Sequence, residues 1–214
     1  MSNRLRLLMC SAAVCLLASC VESERPLSDL SKAEPDMRLC GVWAKTDERG
    51  SVDYLHIGTE TTESLDRAHP RIEPGLMRYC TLTHSQQAQG LSKAGEGHFF
   101  CTRLGGDEFA NWVLPANQAE HKPLTYCFLK YHVNDKQLVL WDQDAEATAQ
   151  AIETGKLKGI VKRKQKNGAP VIGEFEELRI TDSTEKIAAF LSSSAGKVCF
   201  PDRPGAKTVY ARVR

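Results

Sequence analysis

Residues 105 to 109 read Gly-Gly-Asp-Glu-Phe, an order that can do chemistry. Two glycines let a backbone approach a phosphate chain, and adjacent carboxylates can hold a divalent cation and accept a proton from a hydroxyl. Five residues do not make such a site. A second metal ligand and side chains to hold the substrate are needed as well. The other reactive types are scattered. His56, His69, His84, His98, His121 and His132 stand singly, with no H-E-x-x-H and no local signature of a catalytic serine. Strand histidines such as His56, His84 and His132 could meet in a barrel mouth, although a solvent-facing or satisfied imidazole is the commoner outcome. Beyond the leader the cysteines are Cys20, Cys40, Cys80, Cys101, Cys127 and Cys199, none in C-x-x-C spacing. A structural zinc site is not expected, and no cofactor is implied.

The pentapeptide resembles the signature hairpin of diguanylate cyclases, and the resemblance stops at those five residues. The inhibitory R-x-x-D ahead of that motif is missing, since residues 95 to 102 read GEGHFFCT, and the later Asp and Lys pattern is absent as well. The expectation is a chance match, with Asp107 and Glu108 as polar turn residues and Phe109 and Trp112 in or near the core.

The N-terminus speaks about location. Arg4 and Arg6 precede an apolar run from Leu7 to Val21, the n-region and h-region of a signal peptide. Its 15 residues fall short of the roughly 20 that a transmembrane helix needs. The run ends in Leu16-Leu17-Ala18-Ser19-Cys20, which resembles a bacterial lipobox. That resemblance implies cleavage before Cys20, a diacylglycerol on its thiol and a fatty acyl chain such as palmitate on the freed amine. Val21 stands where an aspartate would signal inner-membrane retention, so the outer membrane is favoured. Without residues 1–19 the chain carries 26 basic and 27 acidic residues, leaving no polybasic anchor and no footprint for nucleic acid.

The expected organisation is a leader at 1–19, a lipidated Cys20 with a flexible tether through residue 38, rich in charge and carrying Pro26 and Pro35, and one domain from 39 to 214. From Leu39 the chain breaks into short runs of β-branched and aromatic residues punctuated by Gly, Pro, Asn and Asp. Strands are expected near 40–45, 52–58, 76–84, 98–104, 109–114, 125–133 and 137–142, with reversals at Asn134-Asp135 and Asn167-Gly168 and a last strand in KTVYARVR. Asp144 and Asp182 are placed to cap two short helices, the second leaving at Gly196. The fold class is mainly β, a small antiparallel barrel or sandwich of about ten strands with two short helices. An oxidising compartment permits disulfides. Cys40 and Cys199 could tie the domain's ends, and Cys80, Cys101 and Cys127 could pair across strands or be small buried hydrophobes. The basic run KLKGIVKRKQK reads as a solvated hairpin face or a surface for anionic lipid or cell-wall polymer.

Two likenesses add to this. Gly41-x-Trp43 at the start of the first strand looks like the G-x-W that opens lipocalin-type barrels, where an arginine near the end of the last strand packs over the tryptophan. Arg179, directly before the second helix, is the first candidate for that role and Arg212 is its rival. The order GVW, YLHIG, GLMRY, TLTH and LGG is similar to that of uncharacterised bacterial lipoproteins, planctomycete ones among them, which makes Gly105-Gly106 a scaffold turn. Together they imply a lipid-anchored envelope protein with a non-enzymatic binding or structural role and a small apolar or amphipathic ligand in the barrel mouth. The rival class is an envelope enzyme with a site gathered from dispersed His, Asp and Glu.

Overall fold

The structure, a computed structural model, describes residues 21–59, 75–85, 90–114, 124–166 and 168–213. Cys20, the leader, His69, His121 and Asn167 lie outside them. Within them the chain forms β1 (Glu22–Ser23), β2 (Gly41–Thr46), β3 (Val52–Thr59), β4 (Met77–Ser85), β5 (Gly90–Leu104), β6 (Asp107–Leu114), β7 (Thr125–Val133) and β8 (Gln137–Asp142). There follow α1 (Ala145–Glu153), β9 (Gly159–Lys166), β10 (Ala169–Ile180), α2 (Thr184–Ser192), α3 (Ser194–Lys197) and β11 (Lys207–Arg212). The protein is mainly β and the architecture is a barrel, not a sandwich.

The barrel is an up-and-down meander. Strands β2 through β8 each pair antiparallel with the next, β11 pairs with β8, and the ring closes where β11 meets β2 at Ala211–Ala44 and Arg212–Trp43. Everything from α1 to α3 is therefore an insertion between the seventh and eighth staves. Its β9–β10 hairpin continues the sheet beyond β7 through the two-residue β1, in the order β7-β1-β10-β9. Alternation along the staves sends one set of side chains inward, among them Trp43, Leu55, Met77, Phe99, Tyr131 and Leu138, and the opposite set outward. The outward Phe109 and Phe128 form a second core with Ile180, Ile187, Leu191 and Phe200 of the insertion. Arg163 of β9 fastens α1 with a two-pronged bond to Glu146 at 2.8 Å and lies over the Phe175 ring.

The helices differ in detail from expectation. Asp144 caps α1 through the Ala147 N–H. The cap of α2 is Ser183; Asp182 accepts instead from the Lys158 and Ser183 N–H groups, so its carboxylate joins β10 to the loop before β9. Gly196 does not mark an exit but sits inside the third helix, α3, where a Cβ would fall 2.1 Å from the Phe190 carbonyl oxygen.

The larger correction concerns residues 21–38. They are not a loose tether but a strap. Ser23 pairs with Tyr126, Glu22 with Arg179, and Val21 and Leu27 are 4% and 2% exposed in the outer core. The Leu27 N–H donates to Oδ1 of the fully buried Asn111 at 2.7 Å, and the Ser28 and Thr102 hydroxyls meet at 2.6 Å. The strap thus crosses the outer wall of β7, β6 and β5. Asp29 and Asp36 then start single 3-10 turns by accepting from the N–H two residues on. The second turn delivers Leu39 into the barrel core.

Candidate functional site

The two ends of the barrel are built differently. At the lower end, where β2 begins, the interior is filled: Trp43, Met77 and Leu138 are 0% exposed, with Leu55 and Phe99 at 2%. The Trp43 indole N–H donates to the Leu39 carbonyl at 2.8 Å, and the Arg212 guanidinium lies 4.1 Å from its ring centroid. That guanidinium also donates to the carbonyls of Cys40 (2.9 Å) and Arg38 (2.6 Å). Gly41 makes the stack possible. Its φ is +133°, and a Cβ there would stand 2.9 Å from Arg212 Nη1. Of the two candidate arginines the structure selects Arg212. Arg179 lies in the extension, against Glu177 at 3.0 Å and near Glu22 and Glu24.

The Gly-Gly-Asp-Glu-Phe residues belong to this end, where a turn, ion pairs and the core take them up. Gly105 and Gly106, at φ +57° and +88°, make the two-residue turn between β5 and β6. Asp107 and Glu108 are the first strand residues after it. Asp107 pairs with Lys130 at 2.8 Å, Glu108 takes bonds from Arg38 and lies near Arg103, and Phe109 is 1% exposed. Burial alone would raise the Asp36 carboxyl, but hydrogen bonds from Arg38 and the Tyr131 hydroxyl outweigh it and hold it below its ordinary value. Burial pushes the Tyr131 phenol and the Cys101 thiol well up. A thiol kept protonated in this way is a poor nucleophile.

At the upper end the inward-facing side chains are only half-buried or exposed, and they change character. Lys45 and Asp53, opposite one another on β2 and β3, approach to 3.6 Å. The Thr83 hydroxyl donates to Asp53 at 2.8 Å, and the Lys45 ammonium lies 5.9 Å from the Tyr210 ring centroid. Burial, then the charges of Asp53 and Asp142, push the Tyr210 phenol up to about 12, which places all three groups in one field. Across from them Trp112 packs on Tyr79 (4.1 Å) and Phe99 (5.6 Å). Gly97 makes room for Tyr79, since a Cβ there would lie 2.8 Å from the phenol oxygen. The rim continues into a groove of about 350 Å³ between Asp142, Asp144, Pro201 and Arg203. Two carboxylates, one ammonium and the rings of Tyr210, Trp112 and Tyr79 stand above the apolar interior, chemistry that suits an amphipathic molecule held by its polar head.

Partial desolvation at the rim raises the Asp142 carboxyl, although the residue stays exposed, and Lys45 offsets part of the effect. Because the folded value lies above the unfolded one, folding favours the proton: this contribution is best below the ordinary carboxylate value and is lost as pH rises through the folded one. Asp142→Asn is therefore expected to raise the thermal midpoint at neutral pH, and the gain over the parent should vanish below about pH 4. Paired melts across pH measure it.

Among the described residues the histidines do not gather. Their strand positions put His56, His84, His98 and His132 on the outer face, opposite in parity to Leu55, Thr83, Phe99 and Tyr131. No group of three or more His, Cys, Asp or Glu fit to hold a metal occurs among the described residues. No disulfide joins Cys40 and Cys199; they pack in separate cores, Cys199 with the insertion and Cys40 beside the barrel interior. Cys101 and Cys127 point inward and Cys80 outward by register. Sequence reasoning missed Lys45, Asp53, Asp142 and Tyr210, because a polar residue at alternate strand positions reads as solvent-facing until the sheet closes. Compared with protein-family models, curated proteins and solved structures, the chain matches none.

Proposed function

We propose that this is a lipid-anchored protein of the bacterial cell envelope, held at the outer membrane through Cys20, whose barrel binds a small apolar or amphipathic ligand without chemistry. One observation carries the binding half of the reading: an eight-stave barrel filled with apolar side chains at one end and lined with half-buried aromatic and charged ones at the other. A barrel of this size has an interior that side chains can fill or that can hold one small ligand. The Gly41, Trp43 and Arg212 stack supports the lipocalin likeness, and the Leu16 to Cys20 stretch supports the anchor. No helix among the described residues is long and apolar enough to cross a membrane.

The test uses the purified chain. Native mass spectrometry is expected to show a co-purifying small molecule, and an apolar naphthylamine dye should bind at about one per chain. Leu129→Trp fills the shaft opposite Asp142 and should abolish dye binding while the fold, read by circular dichroism, persists. Binding unchanged in that variant, or no binding by the parent, contradicts the proposal. An envelope enzyme would instead turn over its co-purified molecule.

A further inference from the structure

Cys20 directly follows the expected leader, and the next residue is already inside the fold: Val21 is 4% exposed and Glu22 pairs with Arg179 of β10. On the reading that Cys20 carries lipid, no spacer separates the bilayer from the barrel. From this geometry we infer that the β9–β10 hairpin lies along the bilayer surface as a second contact beside the lipid.

Direction decides which part of the protein meets the membrane. Strand β1 runs parallel to β10, so the chain before Glu22 points back along β10 toward Glu177 and the hairpin tip. From Glu177 to Ala169 the ribbon continues for eight residues, at about 3.3 Å each, or roughly 25 Å. A bilayer within reach of residue 20 meets that ribbon along its length, and among the described residues β9 is the edge strand of the sheet. The ribbon's chemistry fits an anionic lipid surface. Between residues 162 and 177 it holds four basic residues, Lys162, Arg163, Lys164 and Lys166, against Glu174, Glu176 and Glu177. Arg163 turns to α1, whereas Lys162 and Lys164 remain 61% and 46% exposed even beside their glutamates. Ile172, near the tip, is 84% exposed, the most open large apolar side chain among the described residues. Lysines that reach headgroups around one apolar residue suit an interfacial contact, and a tether of no length holds the weak contact at high effective concentration.

Lysine footprinting of the lipidated protein on vesicles of zwitterionic and anionic phospholipid tests the inference, with Lys136 at the lower end as the internal reference. Acetylation of Lys164 and Lys166 relative to Lys136 is expected to be at least threefold slower than in a variant with twenty Gly and Ser residues inserted between Cys20 and Val21. Equal ratios in the two proteins, both with an acyl mass on Cys20 and both floating with the vesicles, overturn the hairpin contact and leave the anchor standing. An unacylated Cys20, or protein left behind when the vesicles float, removes the anchor itself and the hairpin contact with it.

Discussion

Trp43→Ala is expected to lower the thermal midpoint by roughly 10 °C or more, read by circular dichroism. Emptying a fully buried tryptophan site costs about 3–5 kcal/mol, and in a chain of this size each kcal/mol moves the midpoint by about 2–4 °C. The ring is 0% exposed, and it is also the platform of the lower seal. Without it the Leu39 carbonyl loses the indole donor and the Arg212 guanidinium loses the face on which it lies, 4.1 Å from the centroid. Trp43→Phe keeps a face but no N–H, so it should recover much of the loss. If Trp43→Ala melts within 2–3 °C of the parent, the stack is not a structural keystone and the Gly41-x-Trp43 motif carries no special weight here.

Deleting residues 21–38 is expected to leave a chain without a cooperative melt. A solvated tether would be dispensable. The strap is not, because Val21 and Leu27 are buried and Ser23 stands between β7 and β10. Two such apolar side chains contribute about 1.5–3 kcal/mol each. Removal of Leu27 also strips Oδ1 of the fully buried Asn111 of its donor, at about 1–3 kcal/mol. Asp36 and Arg38 leave too, taking the partners of Tyr131 and Glu108. The sum is comparable to the roughly 5–15 kcal/mol that holds a whole domain together. A truncated protein with a sharp transition and native dichroism would show that the barrel stands without its strap.

These two expectations mark where the sequence could and could not be read. The staves were legible because alternation, β-branched residues and Asn-Asp or Gly-Gly turns act locally, and the barrel's seven consecutive strands fall on the expected runs. The strap was not. Its buried residues, Val21 and Leu27, are single apolar side chains among charges and prolines, and a segment that adds only two residues to a sheet has no period to detect. Its 3-10 turns did leave a trace, an Asp two residues ahead of Ser31 and of Arg38. The choice between Arg179 and Arg212 turned on which strand closes the ring. A long insertion before β11 hides that from local patterns. The upper-end groups were invisible for a related reason: Lys45 and Tyr210 are 165 residues apart in the chain and meet only because the first and last staves do.

That meeting has a consequence for how the protein matures. The stave that completes the ring, Lys207–Arg212, is synthesised long after its partners in β2. No nascent chain can close the ring before β11 has been made, and contacts so far apart in sequence make folding slow. Until then the edges of β2 and β8 that meet β11 stay unpaired, so the partly made chain offers two strand edges to wrong partners for longer than a protein of local contacts would.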